Sequence, residues 1–106
     1  MKLHFIVSRA NGLKDKIIKM IINGEFENWD IYINKKYKYL IHNSQCGDKG
    51  VIKLQSIENN TKLEVEVITF DGFKSNLSDL EGDYFGRFCE LIFVNFEDRF
   101  SSIIKV

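Results

Sequence analysis

No proline occurs anywhere in this chain of 106 residues, which excludes a polyproline II linker or a proline-rich recognition segment. Cysteine is scarce as well, with only Cys46 and Cys89. Disulfide-stapled small domains carry more cysteines and an export signal, so two reduced, unlinked thiols are expected. No apolar run reaches eighteen residues, and no transmembrane helix is predicted. The opening Met1-Lys2-Leu3-His4-Phe5-Ile6-Val7-Ser8-Arg9 has too short an apolar stretch for a signal peptide and no small-residue cleavage site. The expected setting is cytoplasmic, away from any membrane.

Catalytic signatures are missing too. There is no G-x-x-x-x-G-K-[ST] loop and no G-x-G-x-x-G, so nucleotide phosphates have no cradle. His4 and His42 are the only histidines. His42 lies four residues before Cys46, the one spacing that invites a metal pair or a Cys–His dyad. A structural zinc site needs four ligands, and nothing marks an orienting third group or an oxyanion hole. The simpler account is a strand histidine beside a loop cysteine. No metal, cofactor or catalytic residue is assigned, and a non-enzymatic role is expected.

What the chain does hold is aromatic side chains and a divided charge. Nine Phe, four Tyr and Trp29 can furnish a well-filled core in a chain long enough for one domain, residues 1–106. Residues 1–53 hold ten Lys/Arg against five Asp/Glu, and residues 54–106 hold five against ten. In a folded domain such a division can set a basic face against an acidic one, which selects partners and speeds encounters.

Leu3 to Val7 reads as a buried strand. Asn11 is placed to cap a helix in which Leu13, Ile17, Met20 and Ile21 share one face, and Asn23-Gly24 stops it. Trp29–Asn34 and Tyr37–His42 are dense in aromatic and β-branched residues, with Asn34-Lys35-Lys36 between them as a hairpin turn. Val51–Ile57 and Lys62–Phe70 form a second hairpin around Glu58-Asn59-Asn60-Thr61, where Asn tolerates positive φ. Ser78-Asp79-Leu80-Glu81 has the form of a capping box. Leu80, Tyr84, Phe88, Leu91, Ile92 and Phe96 then recur at helical spacing, while Gly82 and Gly86 leave bare backbone where another element can approach. Phe100 to Val106 is read as a last strand rather than more helix. The order β-α-β-β-β-β-α(-β) predicts an α+β fold: a mostly antiparallel sheet of four to six strands with both helices on one face, and room for parallel pairing near the first strand.

Two surfaces compete for a partner. Lys35-Lys36-Tyr37-Lys38-Tyr39 interleaves bases with aromatics, the mixture that tracks phosphates and stacks bases. It favours a small nucleic-acid-binding or phage-type regulatory protein, against which stands the neutral net charge. The acidic half favours a cationic protein partner instead. Its candidate contacts are Asp83, Tyr84 and Glu90 on the last helix, with Glu58 and Asp71 at the rim.

The segment Tyr84-Phe85-Gly86-Arg87-Phe88-Cys89-Glu90-Leu91, continued by Asn95-Phe96-Glu97-Asp98-Arg99-Phe100, resembles bacterial toxin-immunity proteins. These include the immunity proteins of contact-dependent inhibition systems. The resemblance covers about a quarter of the chain and carries no site residue across. It implies a small α+β cytoplasmic protein that binds a cognate toxin domain, such as a nuclease, and blocks it without catalysis.

Overall fold

The first helix shows how local sequence and distant residues divide the work. The computed structural model describes residues 1–43, 47–70 and 77–106, and in it α1 spans Ala10–Ile22. Leu13, Ile17, Ile18 and Ile21 are buried along its inner side, with Met20 at the margin of that stripe. Its C-terminus closes as the Asn-Gly pair predicts. Gly24 takes φ 77°, its N–H bonds the Ile21 carbonyl, and the Glu25 N–H reaches back to Met20. The N-terminus departs from expectation. Asn11 lies inside the first turn, and the cap comes from residue 60. The Asn60 carbonyl accepts the Ala10 N–H at 3.0 Å, and its side-chain oxygen accepts the Asn11 N–H at 2.6 Å. A free helix start is satisfied from the far side of the fold.

Six strands make one antiparallel sheet: β1 (Lys2–Val7), β2 (Trp29–Asn34), β3 (Tyr37–His42), β4 (Gly50–Ile57), β5 (Lys62–Thr69) and β6 (Phe100–Lys105). Their spatial order is β2-β3-β4-β5-β1-β6. The second helix, α2 (Leu77–Asn95), precedes a single 3-10 turn at Glu97–Arg99. The α+β class, the element order and the closing strand are as the sequence predicts. β1 pairs antiparallel with both β5 and β6, so the parallel pairing left open near it does not occur.

Strand alternation decides the two faces of the sheet. Phe5, Leu40, Ile52, Leu54, Leu63 and Val65 are fully buried and share one core with both helices. Phe88 sits at its centre, edge-on to Phe5 at 5.7 Å and to Trp29 at 6.5 Å between ring centroids. Among the described residues the opposite face carries no helix. Over β5 and β1 it is a charged ladder, with His4 on Glu64 at 3.0 Å and Lys2 between Glu64 and Glu66. Over β2 and β3 it is aromatic.

Further details of α2 differ from the sequence reading. Ser78 is its second residue rather than its cap, and Glu81, expected in a capping box, is buried with its carboxylate 2.9 Å from the Met1 ammonium. Gly82 and Gly86 are exposed, and among the described residues nothing lies within 4 Å of where a Cβ would stand. Cys89 is a free, half-buried thiol, and burial raises its pKa. Cys46 lies outside the described residues, and with it the His42–Cys46 pair.

Candidate binding cleft

Helix α2 buries one side and leaves a stripe facing out, on which Asp83, Arg87, Glu90 and Val94 follow one another at helical steps. Opposite this stripe runs the short segment from the end of α1 into β2. Asn28 turns it, with φ 67°, and its carbonyl accepts the Asn43 N–H at 2.7 Å. The fixed segment carries Glu25 and Glu27, the two acids separated by the half-buried Phe26, whose ring meets Phe96 edge-on. Between segment and helix lies a cleft of about 600 Å³ lined by Glu25, Glu27, Trp29, His42, Arg87 and Glu90, with Leu91 and Val94 among its apolar walls.

The lining therefore brings together three carboxylates and one guanidinium along walls that are partly apolar. His42 does not add to the positive side. Burial, and then the neighbouring Arg87, hold its pKa below 6.5, with Glu90 opposing, so the imidazole is neutral near pH 7. Its ring stands edge-on to Trp29 at 5.0 Å between centroids. The cleft is thus anionic, floored by an indole and flanked by Val94, which is 74% exposed. Such a site suits the charged head and aliphatic stem of a lysine or arginine, because low-dielectric walls strengthen the attraction.

The structure sorts the five predicted contact residues. Asp83 and Glu90 are exposed on one stripe, and Glu90 lines the cleft. Tyr84 must be corrected: it is fully buried. Its hydroxyl donates to the Gly50 carbonyl at 2.6 Å and accepts the His42 N–H at 3.3 Å. It belongs to the inner stripe with Leu80, Phe88 and Leu91, so it shapes the cleft from beneath and offers no surface. Glu58 lies apart from this cleft. It is exposed in the β4–β5 turn and held by Lys62 at 2.8 Å, a hydrogen bond that lowers its carboxyl pKa. That turn caps the start of α1, whereas the cleft begins beyond its other end, about 20 Å away at 1.5 Å per residue. Asp71 lies outside the described residues. Glu25, Glu27, Arg87 and Val94 were not singled out from sequence; a Glu-x-Glu step just past a helix stop was the one signal available for the first two.

Among the described residues no group of three or more His, Cys, Asp or Glu is arranged to hold a metal ion, and no helix is long and apolar enough to cross a membrane. Comparison with protein-family models, with curated proteins and with solved structures finds no match for this chain.

Proposed function

We propose that this protein is a non-catalytic immunity or inhibitor protein that neutralises a cognate bacterial toxin domain by seating a cationic side chain of that domain in the acidic cleft. The supporting observation is the cleft itself, whose lining includes Glu25, Glu27 and Glu90 against a single arginine, with the Trp29 indole among them. A nuclease is a fitting target, since a surface built to hold phosphates is rich in lysine and arginine. Charge complementarity of this kind sets the association rate and selects the partner, while the apolar walls slow dissociation.

The test is coexpression with the C-terminal domain of a large secreted protein encoded beside this gene. Growth should be rescued, and the purified complex should bind with a salt-dependent association rate. Asp83→Lys/Glu90→Lys should weaken binding at least a hundredfold and abolish rescue, with little change in melting temperature because both positions are exposed. Lys35→Glu/Lys36→Glu, at the other end of the β2–β3 ribbon, should leave rescue intact. Rescue lost in the lysine variant and kept in the acidic one would place the contact elsewhere and end the proposal.

A further inference from the structure

The β2–β3 ribbon has opposite chemistries at its two ends. One end, Trp29 and His42, forms the acidic cleft. The other is a two-residue turn at Lys35-Lys36, both in the left-handed region with φ 51° and 68°. A turn of that shape favours Asn-Gly, because lysine has a Cβ that strains there. The backbone is thus strained to hold two ammonium groups at an exposed tip, and strain of this kind points toward function.

Beside the tip, Tyr37 gathers two more cations. Lys14 of α1 lies 4.9 Å from its ring centroid and Lys53 of β4 lies 5.4 Å from it. The ring is fixed by its hydroxyl, which donates to the Leu54 carbonyl at 2.5 Å and accepts from Lys14 at 3.3 Å. Both ammonium groups meet the electron-rich ring, and among the described residues no carboxylate lies within ion-pair distance of either. Among the described residues, Lys14, Lys35, Lys36 and Lys53 all lie beyond ion-pair distance of any acid; the ion pairs gather instead on Lys2, His4, Lys62 and the Met1 ammonium. Glu66, opposite Lys53 in register, is within 3.9 Å of Lys2.

From this cationic end an aromatic row crosses the sheet face that no helix covers. Tyr37 lies 4.8 Å from Tyr39 between ring centroids, Tyr39 lies 6.4 Å from Tyr32, and Tyr32 lies 5.3 Å from Phe70. Tyr32 is exposed and Tyr39 half-buried. Lysines without an ion-pair partner, leading onto a row of partly exposed rings, match a strand whose phosphates and unstacked bases alternate.

We infer that this face binds single-stranded nucleic acid, with Lys14, Lys35, Lys36 and Lys53 on the phosphates and Tyr32 and Tyr39 under the bases. It is independent of the acidic cleft, which would repel the same ligand. A duplex keeps its bases stacked and can use only the lysines. An acidic protein or an anionic membrane would likewise leave the rings unused.

Fluorescence anisotropy with a labelled twenty-nucleotide oligothymidylate tests this at 50 mM salt, against a duplex of equal length, polyglutamate and phosphatidylserine vesicles. The single strand should bind at least tenfold tighter than any of the three, with log K falling linearly in log salt. Tyr32→Ala should weaken it by about tenfold, within the range that one stacked base supplies. Lys35→Asn/Lys36→Gly relaxes the turn, so it should melt higher than the parent while binding at least tenfold more weakly. That pairing separates lost contact from lost fold. Equal binding to duplex or polyglutamate, unchanged affinity in either variant, or no binding of the oligonucleotide at 50 mM salt would each overturn the inference.

Discussion

Replacing Tyr84 by Phe isolates what one buried hydroxyl contributes. The ring would stay on the inner stripe of α2, 6.3 Å from the Trp29 ring, so packing changes little. Two groups lose a hydrogen bond: the Gly50 carbonyl, now 2.6 Å from the hydroxyl, and the His42 N–H at 3.3 Å. Both residues are buried, so water does not replace the lost bonds. A buried group left unsatisfied costs about 1–3 kcal/mol, the longer contact contributing toward the low end, and the pair together about 2–3 kcal/mol. A domain of 106 residues has an unfolding entropy of roughly 220 cal/mol/K at its midpoint. The melting temperature should therefore fall by roughly 10 °C. Calorimetry gives that shift, and urea unfolding should show a lower midpoint with an unchanged slope. Affinity for a cationic partner should hold within a few-fold, because the hydroxyl does not reach the surface. A shift below about 3 °C, or lost binding with the melting temperature intact, would refute the assignment of Tyr84 to the core.

Two further measurements probe the core and the cleft. Phe88→Ala removes a fully buried ring that meets Phe5 and Trp29, and should cost about 3–5 kcal/mol in urea unfolding; a loss below about 1 kcal/mol would put the side chain outside the core. His42 has its pKa held below 6.5, so the unfolded chain binds the proton more readily. Its contribution to stability is full above pH 6.5 and is lost as pH falls through the lower folded value. Melting temperature should drop on acidification below 6.5, and His42→Gln should flatten that part of the profile; a profile unchanged by the substitution would remove His42 as its source.

Much of the fold was written in short-range pattern. Leu63, Val65 and Val67 alternate with Lys62, Glu64 and Glu66, which is enough to make β5 a strand with one buried face. Leu13, Ile17 and Ile21 do the same for α1, and Asn23-Gly24 marks its end. The pattern also placed Tyr84 correctly, on the stripe with Leu80 and Phe88; treating it as a surface contact overrode that spacing. Other features had no local trace. Asn60 caps a helix that starts fifty residues earlier, and only the packed turn brings it there. The cleft joins Glu90, which the sequence does offer as a contact, to Glu25 and Glu27, from a loop without periodicity. Such sites form where elements meet, and the order β2-β3-β4-β5-β1-β6 is set by long-range pairing.

That order also governs how the chain can reach its fold. Phe5 of β1 is registered with Leu63 of β5 and Ile103 of β6, 58 and 98 residues further along. Of the six strands, the first to be made is an interior strand of the finished sheet, and its second neighbour is made after the other five. Until β5 emerges, Leu3, Phe5 and Val7 have no strand beside them, whereas the β2–β3 hairpin can close within microseconds of its synthesis. Closing loops of this length before their contacts form makes the topology slow to fold. Translation at 5–20 residues per second leaves that apolar strand waiting for several seconds, a window in which a holding chaperone would find its target in β1.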